Sequence, residues 1–140
     1  MKKVAIVFWS GTGNTEAMAD AVIKGAQAAG ASAEKCRASE FGPDDVAKYD
    51  AIAFGCPAMG SEQLEDSEFE PMFDSVKGSL AGKRIALFGS YGWGDCEWMR
   101  NWEEDCKAAG AVLACESVTA NDAPDDAAVE ACKALGAAIA

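Results

Sequence analysis

The 140-residue chain contains no histidine. That absence removes the commonest general base and the usual partner of a serine or cysteine nucleophile, so hydrolytic chemistry is not expected. Its six cysteines, Cys36, Cys56, Cys96, Cys106, Cys115 and Cys132, form no CxxC pair. Without histidine they offer no recognisable ligand set for zinc, haem or an iron–sulfur cluster. Free thiols are expected, with Cys56 and Cys115 near the core and the other four toward helix surfaces. Positive charge is scarce: 12 Lys and Arg stand against 23 Asp and Glu, a net charge of −11. Such a surface repels nucleic acid and anionic membranes. It suits docking onto a basic patch of another protein at a salt-dependent rate, although solubility alone would also explain it. Long apolar runs are missing too, so no segment reads as membrane-spanning. The opening Met1-Lys2-Lys3 leads into Val4 to Trp9, too short for a signal peptide and followed by no small-residue cleavage site. A cytoplasmic protein is expected. With half of the residues apolar, the composition is that of a folded chain, and residues 1–140 suit one domain.

What is present is an alternation of two periodicities. Lys3 to Phe8 is a continuous apolar run of strand length, as expected for a strand covered on both faces. Thr15 to Ala29 places Met18, Val22, Ile23, Ala26 and Ala29 on one helical face, and Gly30 ends it. A weaker strand follows over Ser32 to Arg37, then a polar stretch, Ala38 to Lys48, in which Gly42-Pro43 is expected to break any regular element. Asp50 to Gly55 reads as a third strand and Phe69 to Ser79 as a helix closed by Gly82. Lys83 to Gly89 is the clearest strand. A helix over Glu97 to Ala109, a fifth strand over Ala111 to Glu116 and a last helix over Asp125 to Ile139 complete the pattern. Five strands alternating with helices predict an α/β, doubly wound parallel sheet with helices on both faces, strand order 2-1-3-4-5 being one of two common arrangements. In such a sheet a ligand sits beyond the carboxyl ends of the strands, at the switch point between strands 1 and 3.

Three loops lie at those ends. The first is Ser10-Gly11-Thr12-Gly13-Asn14-Thr15. Its two glycines let successive backbone N–H groups converge at a helix start, and Ser10, Thr12, Asn14 and Thr15 can all donate to oxygen. A Walker A loop needs a lysine that is absent, and Glu16 occupies the third glycine position of a dinucleotide fingerprint. A cradle of neutral donors suits a terminal monophosphate held without transfer. An ordinary capped helix start would use one or two such residues; four favour the phosphate. The second loop, Gly55 to Glu62, carries Met59, a large apolar side chain in a segment that is normally polar; packing alone would also account for it. The third, Gly89-Ser90-Tyr91-Gly92-Trp93-Gly94-Asp95, alternates glycine with large rings. A flat ligand stacked on an aromatic side chain would explain it, and an aromatic plug fits this loop equally well by itself. Trp98 and Trp102, four residues apart on a helix, are read as packing. Taken together, the loops describe a mononucleotide with a large planar base.

Ser10 to Thr15 (SGTGNT), Pro57 to Glu62 (PAMGSE) and Gly89 to Asp95 (GSYGWGD) resemble the three FMN loops of short-chain flavodoxins, and the resemblance runs over essentially the whole chain. It implies a flavodoxin-like fold and a low-potential one-electron carrier that is not an enzyme, cycling non-covalent FMN between semiquinone and hydroquinone. It implies phosphate binding by Ser10, Thr12, Asn14 and Thr15 with Ser90, along a backbone that includes Gly11 and Gly13. Met59 and Trp93 would flank the isoalloxazine, and Glu62 would accept from the flavin N3. The Gly60 peptide would turn toward N5, and backbone around Gly92 would meet the pyrimidine carbonyl. Ala58, Ser61, Tyr91, Gly94 and Asp95 complete the contact set. Some relatives carry Ser in place of Pro57 and Asp in place of Ser61, differences that bear on redox tuning. Glu62, Glu65, Asp66 and Asp95 are expected at the rim, opposing added negative charge on the ring. The partners implied are redox proteins with basic docking patches, met by a monomer; no metal, nucleic acid or membrane is implied.

Three rival readings differ in what they require. A flavin-dependent NAD(P)H reductase needs a second nucleotide site, for which the chain has no spare loop or basic patch. A signalling receiver domain needs a carboxylate after strand 3 and an acidic pair after strand 1, where Cys56-Pro57 and Trp9-Ser10 stand. A binding module without redox chemistry would take up no FMN.

Overall fold

Residues of the first strand are sorted to opposite faces by the two-residue period of extended backbone: Val4, Ile6 and Phe8 face one helical layer, Ala5 and Val7 the other, all at most 1% exposed. The structure, a computed structural model, describes residues 2–11, 13–59, 63–92 and 94–140. Strands β1 (Lys3–Phe8), β2 (Ser32–Arg37), β3 (Ala51–Gly55) and β4 (Arg84–Tyr91) pair in parallel in the order β2-β1-β3-β4. Helices α1 (Asn14–Ala28) and α5 (Asp126–Ile139) cover one face with Met18, Val22, Cys132, Leu135 and Ile139. Helices α3 (Phe69–Lys77) and α4 (Glu97–Ala108) cover the other with Phe69, Phe73, Trp98 and Trp102, so both tryptophans are core residues as expected. α1 and α5 approach at glycine: a Cβ on Gly25 would lie 1.9 Å from the Lys133 carbonyl oxygen, and one on Gly136 2.0 Å from that of Val22. Side chains at either position would force the layer apart.

Three expectations are corrected. Gly42-Pro43 does not end regular structure; it starts the one-turn helix α2 (Pro43–Val46), with the Gly42 N–H donating to Asp45 Oδ2 at 2.9 Å. Proline fits the first helical turn, where its missing N–H costs nothing. The helix at Phe69 ends at Lys77, and Gly82 (φ 76°) lies in the turn before β4. The single fifth strand over Ala111 to Glu116 is two segments, β5 (Val112–Leu113) and β6 (Val118–Asn121), both parallel to β4. Ile85 pairs with Leu113 and Phe88 with Val118, so residues 114–117 face only residues 86 and 87. The excess bulges out. It is held by the Ala114 N–H on the Ile85 carbonyl at 2.8 Å and by Ser117 Oγ on Glu103 Oε2 at 2.7 Å. Beyond the bulge, β6 extends β4 to Tyr91, two residues past its expected end.

The cysteine assignment also changes. Cys56, Cys106 and Cys132 are buried, while Cys36, Cys96 and Cys115 are half-buried; all six are free thiols. Burial pushes the Cys106 and Cys132 thiols up to about 12, which leaves them uncharged and unreactive at neutral pH. Both lie on inward faces of their helices, where cysteine behaves as a small apolar side chain.

Candidate functional site

The first loop turns at Gly13, whose φ of 96° is a left-handed conformation that favours glycine. Gly13 caps α1 without a side chain, and the Ser10 hydroxyl accepts from the Gly13 N–H at 3.0 Å and from the Glu16 N–H at 3.3 Å. Thr15, 1% exposed, shares a 3.0 Å hydrogen bond between its Oγ1 and the Oγ of Ser90, itself 5% exposed. One residue of the α1 start is thereby tied to the end of β4. The second loop is fastened at both ends. The Ala58 N–H donates to the Ser90 carbonyl at 2.9 Å, and Met59 and Gln63 exchange two backbone bonds of 2.9 and 3.0 Å. Met59 is 38% exposed, one of two large apolar side chains among the described residues that stand in solvent.

Between these loops lies a cavity of about 260 Å³. The first loop lines it with Ser10, Gly11, Asn14 and Thr15, the second with Pro57, Ala58 and Met59, and the third with Ser90, Tyr91 and Gly92. Gly13, Gly94 and Asp95 are not part of the lining. Gly13 forms the cap described above, Gly94 adopts φ 89°, and Asp95 is exposed and paired with Arg100 at 3.1 Å. Thr12, Gly60, Ser61, Glu62 and Trp93 lie outside the described residues. Two lining residues escape the sequence reading, Trp9 and Asp122. Trp9 stands at the end of the apolar segment Val4 to Trp9, one residue past the expected strand, and carries no signal that sets it apart from that segment. Asp122 reaches the cavity only because the bulge advances β6. Its N–H donates to the Tyr91 carbonyl at 2.7 Å, and its φ of 58° turns the chain there. Among the described lining residues Asp122 is the only charged one, and the other polar groups are neutral hydroxyls and amides.

The rim differs from expectation at Glu65. Its carboxylate is 4% exposed and accepts from the N–H groups of Ser67 (2.9 Å), Glu68 (2.8 Å) and Phe69 (2.9 Å) and from the Ser67 hydroxyl. It is the cap of α3, satisfying amides at a helix start, and not a rim charge. Burial favours its protonated form, but the Ser67 side-chain bond and the three backbone bonds outweigh that and hold it below the ordinary 4.5.

On the third-loop side, the Tyr91 ring packs against Trp98 with centroids 5.7 Å apart. Its phenol stays above the ordinary 10.0, first through the charge of the neighbouring Cys96 sulfur and then through the hydrogen bond shared with it. Cys96 precedes α4 at φ 69°, a left-handed conformation that strains any residue with a Cβ. Cys96→Gly should therefore raise the unfolding free energy by about 0.5 kcal/mol, read as a higher urea midpoint at unchanged m. A lower midpoint would mean that the contact with Tyr91 outweighs the strain.

Comparison with known proteins agrees with this arrangement. A family model described as flavodoxin matches residues 6–136. A flavodoxin of Megasphaera elsdenii is 50% identical over 137 residues, covering 98% of each chain. A flavodoxin of Clostridium beijerinckii is 43% identical over 122 residues, covering 87% of this chain and 88% of its own. Among solved structures, that of two-electron reduced M. elsdenii flavodoxin superposes with a TM-score of 0.90 at 49% identity, covering 97% of each chain.

Proposed function

The chain belongs to the flavodoxin family, and from that premise we propose that the cavity at the carboxyl edge of its sheet is the seat of its FMN. As a family member it is a low-potential one-electron carrier, an electron-transfer protein and not an enzyme, with FMN as cofactor and redox proteins as partners. Residues 1–140 are taken as one FMN-binding domain. Bound FMN supplies a ring that accepts and releases electrons singly.

The observation that carries the assignment is the donor set at the head of the cavity. Thr15 and Ser90 are buried hydroxyls bonded to each other, flanked by Ser10 and Asn14, with no lysine or arginine among the described lining residues. Such a set fits a phosphate dianion held by hydrogen bonds at a helix start. With Thr12, these residues are assigned the phosphate. Met59 is assigned one face of the ring, which would cover its exposed side chain, and Trp93 the other. Glu62 is assigned the flavin N3–H, the Gly60 peptide N5, and backbone at Gly92 the pyrimidine carbonyl. Asp122 and the lack of a lining cation disfavour additional negative charge in the cavity. Each 1.4 kcal/mol of that penalty lowers a one-electron potential by about 59 mV.

The test is the visible absorption spectrum of the protein purified without added cofactor, followed by extraction and titration of the apo-protein with FMN. A yellow protein releasing one FMN per chain is expected; a colourless protein that takes up none overturns the assignment. NADPH alone should not bleach it. The partners' docking patches are assigned basic character, because the cavity-lining Asp122 is exposed and the net charge is −11. Association with a redox partner should slow steeply as salt rises, and a salt-independent rate would overturn that part. We assign a monomer working in the cytoplasm. Among the described residues no helix is long and apolar enough to cross a membrane.

A further inference from the structure

The start of α3 carries two acidic residues that divide the work there. Glu65 takes the amides of Ser67, Glu68 and Phe69. Glu68 occupies the N-cap position yet makes no side-chain capping bond. Its carboxylate instead accepts from the Trp9 indole Nε1–H at 2.8 Å, across 59 residues of sequence. Capping by Glu65 is what leaves the Glu68 carboxylate available for that contact.

Trp9 is a wall of the cavity. Its backbone is fixed by its own N–H on the Gly55 carbonyl at 3.0 Å. Its ring lies against the first loop, since a Cβ on Gly11 would come within 3.0 Å of the indole Cη2 and 3.3 Å of Cζ3. The indole thus spans from the phosphate loop, at its six-membered ring, to the α3 start, at its nitrogen. It is half-buried, so packing constrains it on one side only. The bond to Glu68 supplies the missing restraint.

We propose that Glu68 is a positioning residue: acting through the Trp9 indole N–H, it holds that ring as a cavity wall beside the first loop. The assignment rests on the reading of this cavity as the FMN site. Among the described residues, the hydrogen bond that ties Glu68 to the cavity wall is the one from the Trp9 indole, and its effect on the cofactor passes through that ring. A preset wall binds a planar ligand better than one ordered on binding, because ordering a side chain costs conformational entropy.

The experiment is a double-mutant cycle on FMN binding by the apo-protein, with Glu68→Ala, Trp9→Phe, the double variant and Glu68→Gln. Glu68→Ala should weaken binding about threefold or more, as expected for losing one hydrogen bond to a charged acceptor in a partly exposed setting. Glu68→Gln, which retains an acceptor oxygen while losing the charge, should stay within about twofold of wild type. In the Trp9→Phe background, where no indole N–H exists, Glu68→Ala should have no further effect. An independent readout without FMN is solvent exchange of the Trp9 indole proton by NMR, which should quicken in Glu68→Ala and remain slow in Glu68→Gln. An unchanged affinity in Glu68→Ala, or a penalty that persists in full in the Trp9→Phe background, overturns the role given to Glu68. A Glu68→Gln variant as weak as Glu68→Ala also overturns it, since charge and not positioning would then be responsible. A wild-type apo-protein that binds no FMN fails the underlying reading as well, and so is told apart from these outcomes.

Discussion

Thr15→Val should weaken FMN binding by about 10- to 100-fold while leaving riboflavin binding unchanged. The substitution conserves shape and removes one hydroxyl. Thr15 is 1% and Ser90 5% exposed and their hydroxyls pair at 3.0 Å, so water has little access to either group. Two penalties follow. A hydrogen bond to a charged phosphate is worth about 1.5–3 kcal/mol, and each 1.4 kcal/mol is tenfold in affinity. In addition, Ser90 is left as a buried hydroxyl without its partner, which should lower the stability of the apo-protein by about 1–2 kcal/mol. Riboflavin carries the ring and the sugar chain without the phosphate, so its affinity isolates the first penalty. Fluorescence titration of apo-protein with both ligands is the measurement. Equal losses for the two would move Thr15 away from the phosphate, and no loss for either would remove it from the site.

Glu65→Ala should cost about 1–3 kcal/mol of folding stability, an appreciable share of what a domain of this size possesses. The magnitude follows from burial together with the number of donors: three backbone N–H groups and one hydroxyl converge on a carboxylate that is 4% exposed. Removing it leaves amides at the head of α3 with no acceptor, directly ahead of Phe69 and Phe73 in the core. Urea unfolding measures the loss. The pH dependence supplies a second reading of the same group. The Glu65 carboxyl in the folded protein sits below its ordinary 4.5, so as pH falls the unfolded chain takes up the proton first. The contribution of Glu65 is therefore complete above pH 4.5 and declines as pH drops from there through the folded value. Wild type should lose stability over that acid range more steeply than Glu65→Ala, the two curves converging toward low pH. Parallel curves would show that Glu65 is not the titrating group. Because Glu68 stands at the N-cap of α3, FMN binding should fall together with stability.

Local pattern accounts for most of the framework. A run of five apolar residues, Val4 to Phe8, with no polar alternation is satisfied by burial on both faces, and it placed β1 at Lys3–Phe8 as expected. Helical periodicity located α1, α3, α4 and α5 within about two residues of their ends, because amphipathic repeats and the glycines that stop them are local. The donor-rich first loop and the apolar Met59 could be recognised for the same reason: each is an unusual composition for its place in a strand–helix alternation. Three short motifs and the element order carried the resemblance to the flavodoxin family, and the matching family model and relatives show the membership.

Other features depended on contacts between segments distant in sequence. The bulge at residues 114–117 is a mismatch between β4 and the chain opposite it, and neither strand alone records it. That mismatch brings Asp122 to the cavity. Glu65 and Glu68 look alike as two acidic residues near a helix start. Only packing separates them, one buried as a cap and the other extended to an indole 59 residues away. The burial of Cys106 and Cys132 likewise depended on which side of each helix met the sheet. Sequence alone determined most of the elements and the donor types available in the loops, since periodicity and residue type are properties of neighbouring residues. Tertiary structure decided which side chains meet, because hydrogen bonds and burial act across space and take no account of separation along the chain.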